Sequence, residues 1–317
     1  MKKFSIVTVF AMAFLLFSSC SKNQNENGKI KIVTTIFPEY DWVREIVGKT
    51  ENVEITLLLD TGVDLHSYQP SVQSMAKLSS ADIFVYVGGE SDDWVRNALK
   101  SAKNKNMIVV NLLSLLGEKV KEEELVEGMQ EEIEDEGEIE YDEHVWLSVK
   151  NAQIICAQIA EVLCSFDSKN ADFYRANVAS YLEKLSALDA EYYDAIFSSA
   201  NKTILFGDRF PFRYLADDYA LKYYAAFVGC SAETEASFKT IAFLSNKVDE
   251  LSLPVVFKIE SGDGKIAQTI IQNTKSKNAK IVTLDSMQSV TKTDIANGAT
   301  YLTIMEKNLD VLKAALK

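Results

Sequence analysis

Apolar residues follow two rhythms along this chain. Short unbroken runs of β-branched and aromatic residues, such as 82–87 (DIFVYV) and 281–284 (IVTL), read as strands covered on both faces. Runs of this kind are predicted at 30–35, 54–59, 82–87 and 107–111, and again at 203–206, 223–227, 255–259 and 281–284. Between them, apolar residues return every third or fourth position, as on one face of a helix. Pro70-Ser71 and Ser148 supply helix starts, since a serine side chain accepts a free backbone N–H of the first turn. Further helices are expected near 211–219, 237–251, 265–273 and 298–315. The longest pattern runs over 172–199, with Phe173, Val178, Leu182, Leu185, Leu188, Tyr192 and Ile196 on one stripe. At 1.5 Å per residue it makes a helix of roughly 40 Å.

Strands separated by helices imply parallel sheets. The predicted fold class is therefore α/β, with two lobes, each a four-stranded, mainly parallel sheet flanked by helices, joined by one long helix. The expected boundaries are 30–165 for the N-terminal lobe, 166–200 for the linking helix and 201–317 for the C-terminal lobe.

Charge adds one feature. Residues 118–143 hold fourteen Asp and Glu against Lys119 and Lys121, which accounts for nearly all of the net charge of -13. The remaining body is close to neutral and has no basic field to attract phosphates, which argues against a nucleic-acid partner. The acidic run reads either as a solvated loop that aids solubility or as a mobile strip that gathers cations, and it ends on His144, one of only two histidines.

The first 19 residues pair Lys2-Lys3 with an apolar stretch too short to span a bilayer, as in a secretory signal. Phe17-Ser18-Ser19-Cys20 resembles a bacterial lipobox, with Phe17 in place of the usual Leu. Cys20 would then be lipidated, and 20–29 would tether the body to the outer face of the cell membrane. Cys156 and Cys164 fall eight residues apart on one predicted helix, roughly 12 Å, too far for a bridge. Buried thiols are expected, with a bridge from either one to Cys230 left open.

Ligands of open parallel sheets sit beyond the carboxyl ends of the strands. His66 and His144 follow strands of the first half; Asp208, Glu260 and Asp285 follow strands of the second. Two neutral imidazoles from one lobe and carboxylates from the other would hold zinc or manganese in a cleft. Spacing alone leaves open that a histidine packs in the core instead.

Leu65-His66-Ser67-Tyr68-Gln69-Pro70 and Asp142-Glu143-His144-Val145-Trp146-Leu147-Ser148 resemble motifs of the zinc/manganese substrate-binding lipoproteins of ABC importers. Phe37-Pro38 with Tyr40, Tyr214 with Tyr219-Ala220-Leu221, and Thr283-Leu284-Asp285-Ser286 add to the likeness, which runs from about Ile30 to the C-terminus. The resemblance implies a monomeric extracytoplasmic binder, not an enzyme, that carries zinc, or second to it manganese, to a membrane permease. It assigns His66, His144 and Asp285 as ligands. Where the family has a further His or Glu, this chain has Arg209, which stays protonated and cannot ligate. Asp208 is the expected substitute, with Glu260 as the alternative and Glu233 and Glu235 as weaker ones. With two histidines a three-histidine site cannot be built. The rival readings are a secreted zinc-dependent hydrolase with an activated water, and a surface adhesin in which the metal site is incidental.

Overall fold

Eight strands form two sheets in a computed structural model that describes residues 28–130, 140–231 and 233–317. The signal segment, Cys20, most of the tether and the middle of the acidic run (131–139) lie outside the described residues. In the first sheet β1 (Ile30–Thr34), β2 (Val53–Leu57), β3 (Ile83–Tyr86) and β4 (Ile108–Asn111) are parallel and lie in the order β2-β1-β3-β4. In the second, β5 (Thr203–Arg209), β6 (Lys222–Phe227), β7 (Val255–Ile259) and β8 (Lys280–Leu284) repeat that arrangement as β6-β5-β7-β8. The two α/β lobes are those expected from the alternating patterns. Each sheet reverses its strand order beside its first strand, which opens a crevice at the carboxyl ends, where ligands of such sheets bind.

The long helix spans Ala171–Phe197. Its buried stripe is Tyr174, Val178, Tyr181, Leu185, Leu188, Tyr192 and Ile196. The stripe expected from the sequence differs in its first half: Phe173 is exposed and Leu182 only partly covered. Tyr174 and Tyr181 take those places with their apolar ring bodies, and the buried Tyr181 hydroxyl has no hydrogen-bond partner among the described residues. Tyr174 donates to Asp167 Oδ2 at 2.8 Å, and Tyr192 donates to the Met305 carbonyl at 2.6 Å.

One continuous apolar core runs from Ile32 and Trp42 through this helix to Phe206, Leu284 and Leu312. A smaller cluster around Leu205, Leu244 and Ile270 covers the far face of the second sheet. A shared core of this extent restrains hinge motion between the lobes. Trp146 crosses the junction: its indole N–H donates to the Ser286 carbonyl at 2.9 Å, and its own carbonyl accepts the Tyr301 hydroxyl at 2.8 Å.

The fold also buries Asp92, which accepts the Gly88 N–H at 2.9 Å. Burial, with the nearby Glu143 charge adding to it, pushes its pKa to about 7. Folded Asp92 therefore holds its proton more tightly than the unfolded chain does. Between about pH 4 and pH 7 its contribution to stability falls as pH rises. Asp92→Asn keeps an acceptor for Gly88 and removes the buried charge. It is expected to raise unfolding free energy by about 2 kcal/mol at pH 8 and by almost nothing at pH 4. Urea denaturation at the two pH values measures the difference.

Candidate metal site

His66 leaves β2 on a short 3-10 turn, Leu65–Ser67. Buried Leu65 anchors that turn, and Asp64 caps it by accepting the His66 N–H at 3.1 Å. The imidazole Nδ1 lies 2.7 Å from Ser91 Oγ, on the turn that follows β3. Gly89 opens that turn with φ of 84°, and a Cβ there would come within 2.3 Å of the Glu143 carboxylate. The close approach lets Glu143 accept the Ser91 N–H at 3.0 Å, which fixes Ser91 beneath His66.

His144 is fully buried at the end of the acidic run. The two ends of that run are pinned together. Glu122 bridges Tyr141 antiparallel, the Glu123 N–H donates to the Glu140 carbonyl at 2.9 Å, and the Asp142 N–H donates to the Lys121 carbonyl at 2.9 Å. The buried Tyr214 hydroxyl adds a clasp, accepting the Lys121 N–H and donating to the Asp142 carbonyl, both at 2.9 Å. Asp142 Oδ1 lies 2.9 Å from His144 Nδ1. A carboxylate only accepts, so Nδ1 carries the proton and Nε2 presents a lone pair.

That lone pair faces the other histidine, with His66 Nε2 and His144 Nε2 3.1 Å apart. Without a cation, His66 can donate from Nε2 while the Ser91 hydroxyl donates to its Nδ1. With a cation between the rings, His66 needs only its other tautomer, because a serine hydroxyl accepts as readily as it donates. Burial, followed by the neighbouring His144 and Arg209, holds the His66 pKa well below the usual histidine value. The imidazole is thus neutral, as ligation requires.

Cys230, expected from the sequence only as a thiol open to bridging, joins the two imidazoles as a third donor. It follows β6 directly, and its sulfur and the two imidazole nitrogens all lie within 4.8 Å of one another. Gly229 permits this: a Cβ there would sit 3.1 Å from the His144 ring. The Cys230 N–H donates to Glu123 Oε1 at 2.8 Å. Asp142, Glu123 and Glu143 thus surround the His–His–Cys group with carboxylates. A cavity of about 260 Å³ opens onto it, lined by His66, Ser91, Glu123, Tyr141, Glu143 and Cys230 among others. A larger cavity of about 700 Å³ borders Lys29, Asn52, Asp82 and Asn106. It lies at the amino ends of the first sheet's strands, away from the histidines.

The expected carboxylates do not join the group of three. Strand β5 runs further than expected, so Asp208 lies inside it instead of beyond it. Its oxygens accept the Arg209 N–H at 2.9 Å and the Ile259 N–H at 3.2 Å, which ties β5 to β7 across an irregular register. Glu260 caps the loop after β8, accepting the Ser286 N–H at 2.7 Å and the Gln288 N–H at 3.1 Å. Asp285 stands at the carboxyl end of β8 and accepts the Met287 N–H at 2.8 Å. Burial, and then the Glu260 charge, push its pKa to about 6. Glu233 and Glu235 are exposed. Arg209 pairs with the Asp64 carboxylate and not with Asp208. Its guanidinium also donates to the Ser231 carbonyl at 3.4 Å, so it braces the loops that carry His66 and Cys230. Cys156, Cys164 and Cys230 are all free thiols.

Comparison with known proteins places this chain among zinc-uptake proteins. Residues 32–315 match the family described as zinc-uptake complex component A, periplasmic. The chain is 32% identical over 317 residues to the zinc-binding lipoprotein AdcA of Streptococcus pneumoniae, covering 99% of this chain and 61% of that protein. It therefore spans about three fifths of the length of such streptococcal relatives. It is 31% identical to the high-affinity zinc uptake system protein ZnuA of Bacillus subtilis, covering 99% of this chain and 98% of the relative. The crystal structure of the Zn(II)-bound ZnuA-like domain of S. pneumoniae AdcA superposes with a TM-score of 0.70 at 28% identity, covering 91% of this chain and 99% of that domain.

Proposed function

Because the chain belongs to the zinc-uptake complex component A family, we propose that it captures a divalent metal ion outside the cytoplasm and delivers it to an ABC permease. Zinc is the first cargo and manganese the second. The family is one of transport binding components, not of enzymes. The observation that carries the reading is the 3.1 Å separation of His66 Nε2 and His144 Nε2. Two zinc–nitrogen bonds of about 2.0–2.1 Å at a tetrahedral angle set their nitrogens about 3.4 Å apart. The two rings therefore need only a few tenths of an ångström of adjustment to admit the ion. Asp285, at the cleft end of β8, remains a proposed carboxylate ligand that would have to swing inward. Asp208 and Glu260 are weaker, because their oxygens already hold backbone N–H groups. Lipidation at Cys20 would keep the protein, as a monomer, beside the permease.

Zinc titration of the mature chain against a chromophoric chelator tests capture. One ion per chain with sub-micromolar affinity is expected, and failure to compete with the chelator would reject the reading.

The acidic run would raise the local concentration of cations at the cleft mouth, an effect that salt screens. Neutralising Glu131, Glu132, Glu134, Asp135, Glu136 and Glu138 to Gln or Asn is expected to slow zinc association several-fold at low ionic strength. The difference should vanish at about 0.5 M salt, with one ion still bound per chain. Stopped-flow mixing with zinc reads both.

A further inference from the structure

We propose that Cys230 is the third protein ligand to the captured ion, so that the site offers two imidazoles and one thiolate and takes zinc in preference to manganese. This rests on the capture reading above and adds a donor from the second lobe. A tetrahedral zinc ion with bonds of about 2.0 Å to nitrogen and 2.3 Å to sulfur sets its donor atoms roughly 3.4–3.6 Å apart. The His66, His144 and Cys230 donors already lie within 4.8 Å of one another. Closing the sulfur onto the ion requires about an ångström of side-chain movement, within the reach of one cysteine rotamer.

The loop that carries the thiol is held on both sides. Glu123 accepts the Cys230 N–H at 2.8 Å, and Arg209 donates to the Ser231 carbonyl at 3.4 Å. Gly229 allows the backbone to lie against the His144 ring, where any side chain would be 3.1 Å from it. Arg209 also pairs with Asp64, whose carboxylate caps the turn bearing His66. One guanidinium therefore locks both ligand-bearing loops and neutralises Asp64. The other two cysteines of the body, Cys156 and Cys164, are packed into the helix Val149–Phe166 and do not join the group. On binding, the Cys230 S–H bond is exchanged for a sulfur–metal bond, and the proton passes to the buffer.

A thiolate is a soft donor. It favours zinc, cobalt or cadmium, whereas manganese favours oxygen ligands. Cobalt(II) is the direct probe, because only a bound thiolate gives a cobalt–sulfur charge-transfer band in the near ultraviolet. Reduced mature chain loaded with one equivalent of cobalt should show that band. Cys230→Ser should bind cobalt without it and hold zinc at least tenfold more weakly. Cys230→Asp should shift the zinc-to-manganese affinity ratio at least tenfold toward manganese. One cobalt per wild-type chain with no thiolate band would overturn the Cys230 assignment and leave the histidine site standing. No uptake of either cobalt or zinc by the wild-type chain would overturn the capture reading as well.

Discussion

Replacing His144 with alanine is expected to lower zinc affinity at least about a thousandfold, or about 4 kcal/mol. The ring is fully buried, and its Nδ1 is spoken for by Asp142, so Nε2 has no role in the apo protein beyond facing His66. Removing it deletes one coordination bond and the orienting partner of the other imidazole. The one other histidine in the chain, His66, already belongs to the site, so none is left to replace it. Competition with a chelator of known affinity reads the change, and circular dichroism checks that the fold is kept. A loss smaller than tenfold would mean that the metal sits elsewhere.

Trp146→Ala carries the largest expected cost in stability. The indole is fully buried beside His144, with ring centroids 5.1 Å apart, and its N–H reaches the Ser286 carbonyl in the second lobe. Truncation opens a cavity and leaves that carbonyl without its donor, which together cost about 4 kcal/mol. Trp146→Phe fills most of the space and should lose about half as much. The urea midpoints of the two apo variants separate packing from the hydrogen bond. Zinc affinity should fall only in the alanine variant, where His144 loses its wall.

The strands were readable because the inner strands β3, β5 and β7 are largely buried on both faces and read as apolar runs. The edge strands β2 and β8 keep short β-branched runs around exposed Glu54 and Thr283. The long helix was readable as a helix but not in its exposed and buried faces. Tyr174 and Tyr181 supply two of the seven residues of its buried stripe, and a pattern of purely apolar residues passes over them. At the site, each histidine stands in a dense local motif that marks it. Asp208 was misplaced because Gly207-Asp208-Arg209 has the composition of a turn, whereas the strand continues through it with an irregular register. Cys230 obeys the same rule that drew attention to the carboxylates, since it lies just past the carboxyl end of β6. Gly229 beside it was the available signal, a residue whose missing side chain marks a close approach. The acidic run divides in the same way. Its described ends are held against Tyr214 and Cys230 and help to build the site, while the action of its charge at longer range is the proposal that the stopped-flow experiment tests.

The most direct test of the cleft as the capture site is anomalous scattering at the zinc edge from crystals of the zinc-loaded mature chain. One dominant peak is expected about 2.0–2.1 Å from both His66 Nε2 and His144 Nε2. A dominant peak anywhere else, including among the carboxylates of 118–143, with none between the two imidazoles, would contradict it.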